Sequence, residues 1–489
     1  MSSFNYRVKL NAAIDRSVST WMSDSLAAIQ EHNTALEARF ADKLKVNHQL
    51  NRQLVSFQAN KNKPGYRWFK YKESFSEALV QHLLDYLNLD EGHILDPFAG
   101  AGTTLFAASE RGLNATGIEL LPVGCEIIEV RKLAQDEDAE ALRSTIDRWQ
   151  REQPWRQSRC STSFPHLRIT SGAFPEDNQQ ALDRYLAALA SETGVAARIL
   201  RFAAMSVLEE ISYTRKDGQY LRWDYRSERR QGSKPFNKGQ ILSFDEAINR
   251  KLSEISADLQ PSGFLPGLFH SSDKKGQIEV LRGSCLDVLP TLGTASFDGL
   301  ITSPPYVNRY DYTRTYALEL ALLGVGETEI RALRQAMLSC TVENREKAKL
   351  QTVFTPDLHR RASAAFEHQQ ELQSILNYLE WQKSTKALNN SGIPRMVRNY
   401  FFELALVIFE CARLLKPGAP LVMVNDNVRY SGVIIPVDLI LSDFAEQAGF
   451  DVEVIWVLPT GKGNSSQQMG LHGREELRKC VYVWRRRSK

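Results

Sequence analysis

The sequence predicts an α/β protein built on one mainly parallel sheet of seven strands flanked by helices and interrupted by two largely helical inserts. Three observations carry that prediction. The stretch GHILDPFAGAGTTLFAASERGLNATGIEL, residues 92–120, runs as strand, glycine turn, helix and strand, which is one β-α-β unit. Three short apolar runs, residues 277–281, 298–301 and 421–424, are alike in character although far apart in the chain, as buried parallel strands are. Residues 452–458 and 480–484, separated by the Gly/Ser/Gln-rich loop 461–470, read as an antiparallel pair that closes the sheet.

At the start of the chain, residues 11–58 carry apolar residues at helical spacing (Trp21, Met22, Leu26, Ile29, Leu36, Phe40, Leu44) and read as a polar helical arm over 1–60. The KNKPG loop at 61–65 ends it, and residues 75–89 form an amphipathic helix ahead of the β-α-β unit, so 61–130 is the first core segment. Residues 131–275 and 307–399 are mostly helical and charged, and read as the two inserts. Core strands return at 276–306 and again at 400–489, after the LLKPGAP turn.

Composition limits the function classes. With 489 residues, 43% hydrophobic and 24% charged, the chain can bury a sizeable core. A net charge of only +3 excludes a polycation, so any nucleic-acid surface must come from local clustering of the 61 Lys and Arg residues. The six cysteines stand singly, without a CxxC pair, which argues against a disulfide framework or a zinc site and fits a reducing cytoplasm. No metal is expected. No apolar run reaches the roughly 18 residues of a membrane span, and MSSFNYRVKL lacks a signal-peptide core, so the expected location is cytoplasmic, away from membranes.

Two stretches carry chemistry. In DPFAGAGTT, Asp96, Pro97, Phe98, Gly100, Gly102, Thr103 and Thr104 lie between a strand and a helix, where the glycines let the backbone pass beneath a ligand. An acidic Asp96 repels phosphate and prefers an amine. Glu119, followed by Leu120, ends the next strand, where a carboxylate accepts both hydroxyls of a ribose. Together these describe an adenosyl amino acid. In TSPPY, Ser303, Pro304, Pro305 and Tyr306 end an apolar run; prolines have no N–H and fixed φ, so they stop the ladder and leave carbonyls unpartnered.

DPFAGAGTT with IEL, followed by TSPPY, resembles the AdoMet-dependent DNA amino-methyltransferases, and TSPPY in this form is most similar to the cytosine-N4 group. The resemblance covers residues 66–119, 277–306 and 400–485, leaving both inserts outside. It implies a Rossmann-like methyltransferase sheet, S-adenosylmethionine as cofactor, and a flipped cytosine in double-stranded DNA as substrate. It implies further that the Ser303 hydroxyl and Pro304 carbonyl accept the N–H bonds of the exocyclic amine while Tyr306 stacks on the base. Phe98 then covers the methionine part of the cofactor, Tyr66, near Trp68, Phe69, Lys70, Lys72 and Ser74, meets its amino-acid end, and Asp287 stands near the adenine, because Ser284 occupies the place where the family carries Asp. Asn425, Asp426 and Asn427 are candidates for the base pocket.

The alternatives are adenine-N6 transfer, whose enzymes more often have Asp where Ser303 stands, transfer to a guanosine amine in RNA or a protein glutamine, and a non-catalytic DNA-binding partner. Cytosine-C5 transfer is disfavoured because no cysteine follows a proline. A restriction-modification setting is implied, with a cognate endonuclease and a monomer or homodimer. DNA contacts are expected from the inserts. Residues 213–239 pack Arg215, Lys216, Arg222, Arg226, Arg229, Arg230, Lys234 and Lys238 among Tyr213, Tyr220, Trp223 and Tyr225, a mix suited to phosphate contact and base stacking. Asn308, Arg309 and Tyr310 after the catalytic turn, and Arg395 and Arg398 before the next core helix, are further candidates.

Overall fold

The strongest β-forming runs of the chain converge on one sheet in the computed structural model, which describes residues 2–217, 221–230, 235–259, 275–459 and 476–488. In chain order the strands are β1 (Leu44–Val46), β2 (His93–Asp96), β3 (Asn114–Glu119), β4 (Thr214–Lys216), β5 (Leu221–Trp223), β6 (Ile278–Arg282), β7 (Gly299–Thr302), β8 (Pro420–Asp426), β9 (Val428–Tyr430), β10 (Val433–Ile435), β11 (Phe450–Val457) and β12 (Lys479–Arg486). Eight of them form the central sheet in the order β1-β11-β12-β8-β7-β2-β3-β6. All neighbouring pairs are parallel except those that β12 makes with β11 and β8.

Burial explains the apolar runs. Leu421, Val422, Met423 and Val424 of β8 lie between β7 and β12, each no more than 1% exposed. Burying such side chains contributes about 1.5–3 kcal/mol apiece, so a strand covered on both faces has no use for alternating polar residues. The helices α1 (Ser2–Arg39), α2 (Glu77–Leu87), α3 (Thr103–Glu110) and α4 (Pro122–Asp136) belong to the first part of the chain. α2 starts where the Ser76 hydroxyl accepts from the Leu79 N–H, and it stops at Asn88, which adopts the left-handed conformation.

The arm differs from the sequence expectation. Its helix ends at Arg39 instead of reaching Gln58, and Leu44, expected on the helix, begins β1. β1 pairs Leu44–Val46 in parallel with Ile455–Val457, which makes the sheet eight-stranded instead of seven-stranded. The open edge of β11 supplies hydrogen-bond partners that outweigh the local helical spacing of three residues.

Residues 131–275 pack four longer helices (Ala139–Glu152, Glu176–Ala188, Gly194–Ile211, Phe244–Asp258) around the touching rings of Trp149, Trp155 and Tyr185, and add the β4-β5 hairpin. In the second insert, Pro356–His368 and Gln370–Ser384 pack with the long helix Ile393–Leu414 into the same apolar cluster as the sheet. That helix starts before residue 400, inside the stretch read as insert. Tyr220, Lys234 and the loop 461–470 lie outside the described residues.

The chain winds from β2 outward to β3 and β6 on one side, and from β7 to β8 on the other. The winding direction therefore reverses between β2 and β7, the place where the strand ends of an open α/β sheet leave a crevice for ligands.

Candidate active site

The turns that leave the strand ends build the crevice. After β2, the Phe98 N–H donates to Asp96 Oδ1 at 3.0 Å and turns the chain back over the strand end. Gly100 and Gly102 then take φ of +55° and +74°, a region that side chains disfavour. A Cβ on Gly102 would stand 2.8 Å from Ile128, and one on Gly100 would stand 3.2 Å from the Tyr71 ring. The turn delivers the Gly100 N–H to Glu119 Oε2 at 2.7 Å, while the Leu121 N–H reaches Oε1 at 2.7 Å.

Asp96 and Glu119 are 2% and 7% exposed. Burial pushes the Asp96 carboxyl up to about 6, although the Thr302 hydroxyl at 2.6 Å and the Phe98 N–H oppose the rise. Burial likewise pushes Glu119 up to about 7 against its backbone donors. Neither carboxylate has an ion-pair partner among the described residues. Two buried acids at a cavity wall, neither paired with a cation, call for a ligand that brings N–H or O–H donors of its own.

The TSPPY turn stands across the crevice. Ser303 Oγ donates to the Val424 carbonyl of β8 at 3.1 Å and lies 3.3 Å from the Tyr306 hydroxyl. With its proton turned toward β8, the serine presents lone pairs to the crevice. The Tyr430 hydroxyl donates to the Val307 carbonyl at 2.7 Å and holds the chain just beyond the turn. Asp96, Pro97, Phe98, Gly100, Thr103, Glu119, Leu120 and Ser303–Tyr306 all line one cavity of about 410 Å³.

Known proteins similar to this chain agree with that geometry. The DNA methylase family matches residues 20–130. The type II methyltransferase M.AvaI of Nostoc sp. is 52% identical over 491 residues, spanning 99% of this chain and 100% of its own; M.AvaI of Anabaena variabilis matches equally. The type II methyltransferase M.BsoBI of Geobacillus stearothermophilus is 39% identical over 483 residues, covering 94% of this chain and 92% of its own. The chain belongs to the type II DNA methyltransferases.

As a type II DNA methyltransferase of the restriction-modification kind, it acts on DNA and takes its methyl group from S-adenosylmethionine. The donor set fits that cofactor: unpaired acids suit an ammonium and ribose hydroxyls, and the aromatic rings of Phe98 and Tyr71 line the same space.

Four residues expected at the cofactor lie outside the cavity. Tyr66 is buried elsewhere, its hydroxyl 3.1 Å from Glu110 and its ring 4.0 Å from the Arg131 guanidinium. Residues 71–75 line the cavity in its place. Gly102 opens α3, and the Thr104 hydroxyl donates to the Ile301 carbonyl at 3.2 Å behind Asp96. Asp287 pairs with Lys349 at 2.6 Å near the surface, and Gly283, Ser284 and Cys285 face the cavity instead. Trp68 donates to Asp258, and Phe69 is core.

The cavity of the methyltransferase is also lined by residues that the sequence pattern leaves unmarked. Tyr71, Glu73, Tyr312 and Lys479 line the cavity beside the expected Asn308, Tyr310 and Asp426. Glu73 accepts from the hydroxyls of Tyr310 and Tyr316, which ties the second insert to the segment before α2.

Of the basic residues expected on DNA, Lys216 is excluded: its ammonium pairs with Glu319 at 2.6 Å, and the two side chains are 4% and 1% exposed. It stands 4.6 Å from the Tyr316 ring centroid and cannot reach a phosphate. Lys238 is likewise turned inward, donating to the Ser212 carbonyl at 2.6 Å. Arg229 covers the Trp223 ring at 3.6 Å and donates to the Ser171 carbonyl, so this pair serves the hairpin itself. Arg222 pairs with Asp217 and Arg226 with Asp224. Arg309 reaches Asn389 at 3.3 Å and does not line the cavity. Arg215, Arg230 and Arg398 are exposed.

Proposed function

We propose that this methyltransferase moves the methyl group of S-adenosylmethionine to the exocyclic N4 of a cytosine flipped out of double-stranded DNA. The observation that carries the proposal is the Ser303 hydroxyl, whose proton is turned to the Val424 carbonyl beside the cavity. An aryl amine is a poor nucleophile because its lone pair is delocalised into the ring. Acceptors on its N–H bonds, here Ser303 Oγ and the Pro304 carbonyl, draw the nitrogen toward tetrahedral geometry and guide out the proton lost as the N–C bond forms. Tyr306 gives the extrahelical base a face to stack on. Serine in place of aspartate at position 303 favours cytosine over adenine, by resemblance to the cytosine-N4 group.

When bound, the cofactor supplies an electrophilic methyl on sulfonium sulfur. Asp96 holds its ammonium, Glu119 its ribose hydroxyls and Phe98 its methionine part. Arg215, Arg222, Arg226, Arg230 and Arg398 contact phosphates. The cognate endonuclease cuts the same sites, and the enzyme works in the cytoplasm as a monomer or homodimer. Among the described residues, no helix is long and apolar enough to cross a membrane.

The test is incubation with labelled S-adenosylmethionine and unmethylated genomic DNA, followed by nucleoside mass spectrometry, with Ser303→Ala and Tyr306→Ala as controls. N4-methylcytosine that disappears in both controls is expected. N6-methyladenine would overturn the base assignment and keep the mechanism, and absence of a DNA product would overturn the substrate.

A further inference from the structure

One wall of the cavity holds a charged pair that the TSPPY turn does not account for. β12 runs antiparallel to β8 with Lys479 opposite Asp426, so both side chains leave the sheet on one face. Lys479 Nζ lies 2.9 Å from Asp426 Oδ1, and both residues line the cavity with Tyr306. The same ammonium stands over the Tyr306 ring, 5.3 Å from its centroid, and is coupled to the phenol electrostatically. Burial works against the ammonium's charge, but Asp426 and Tyr306 outweigh it and keep Lys479 above its ordinary range. Among the described residues, the only other lysine in the cavity wall is Lys72, which belongs to the segment before α2 and donates to the Lys216 carbonyl.

A phenol ring attached to the backbone at one end swings about two torsions, and an aromatic face that swings must be immobilised each time a base stacks on it. Pro305 stiffens the backbone on one side of Tyr306. At the far end the hydroxyl meets Ser303 Oγ at 3.3 Å, and the Lys479 ammonium stands over the ring. A lysine stem by itself is mobile, and Asp426 supplies the second anchor that fixes it.

We propose that Lys479, held by Asp426, is a positioning residue for Tyr306, pinning the phenol so that its ring stands ready as the face for the target base. This rests on the assignment of Ser303–Tyr306 to that base. Lys479 then acts on capture of the extrahelical base more than on the methyl-transfer step, and it acts through the Tyr306 side chain.

The experiment measures steady-state kinetics on unmethylated genomic DNA and cofactor affinity by calorimetry. For Lys479→Met, KM for DNA should rise roughly 10- to 100-fold, with kcat changed less than about threefold. S-adenosylmethionine affinity should stay within about twofold, Lys479→Arg should recover most of the loss, and Lys479→Met should weaken DNA binding no further in a Tyr306→Ala background. Unchanged DNA KM, or an equal loss of DNA binding in the Tyr306→Ala background, would overturn the role. Because Lys479→Met strands the Asp426 charge, the neutral pair Asp426→Asn with Lys479→Met is measured as well; full DNA affinity there would also overturn it. Product identity in the wild type and the Tyr306→Ala control report separately on the base assignment, so the two ideas fail in different rows of data.

Discussion

Replacing Asp96 with asparagine separates what that carboxylate does for binding from what its charge costs the fold. Asp96 is 2% exposed and titrates near 6 against an ordinary 3.8. The folded state therefore holds this proton more tightly than the unfolded chain does. Its contribution to stability is intact below the ordinary value and is lost as pH rises from about 4 to about 6. At about 1.4 kcal/mol per pH unit, the ionised group costs the cofactor-free protein about 3 kcal/mol at pH 8. An asparagine oxygen can still accept from the Phe98 N–H and the Thr302 hydroxyl, the two donors on Oδ1. Urea melts of cofactor-free protein should show Asp96→Asn more stable by up to about 3 kcal/mol at pH 8, with the gain roughly halved at pH 5 and vanishing only below about pH 4, where the carboxyl is protonated in both the folded and the unfolded chain. Calorimetry should show S-adenosylmethionine binding weakened roughly 10- to 100-fold, the worth of one charge-assisted hydrogen bond. Equal destabilisation at both pH values would refute the reasoning by making Asp96 an ordinary structural hub, and unchanged binding would place the cofactor's ammonium elsewhere.

Cofactor affinity of the wild type should fall as pH drops from 8 to 5, starting near 7 with Glu119 and steepening below 6 with Asp96, because both must be ionised to accept donors; a flat calorimetric profile would contradict this. Lys216→Met leaves Glu319 unpaired at 1% exposure and should destabilise the protein by about 3–5 kcal/mol in denaturant melts, with the salt dependence of DNA binding unchanged. Arg230→Ala, on the exposed side of the hairpin region, should do the reverse: stability within about 0.5 kcal/mol of wild type and a salt slope shallower by about 1.

How far the sequence is legible depends on the range of the forces involved. The inner strands announce themselves by continuous apolar runs, as Leu421–Val424 of β8 and Cys480–Trp484 of β12 do, since burial on two faces constrains each residue directly. β1 does not, because its three residues are mostly exposed and their strand state comes from an edge more than 400 residues away in the chain. Asp96, Glu119 and Ser303–Tyr306 are readable because each sits at a strand end with a residue type that capping alone does not require. Tyr66 and Asp287 miss the cavity by a few residues, as counting along the chain cannot tell which side of a turn faces the crevice; the residues that face it are Tyr71 and Ser284. Basic residues mixed with aromatics mark Lys216 as a DNA contact, yet the same mixture is what a buried cation-π pair looks like. Lys479 carries no local signal at all, because its role comes from lying opposite Asp426 across two strands.

The place of β12 has a consequence for how the enzyme is made. Among the described residues it is the last strand, yet it lies inside the sheet between β8 and β11. During synthesis the motif-bearing strands emerge long before it, and β8 and β11 face each other across a gap one strand wide until it arrives. A chain that stops before residue 479 therefore leaves β8 and β11 each with one unpaired edge and lacks the lysine of the cavity wall. Modification capacity in a cell should accordingly track full-length chains alone, with no contribution from nascent ones.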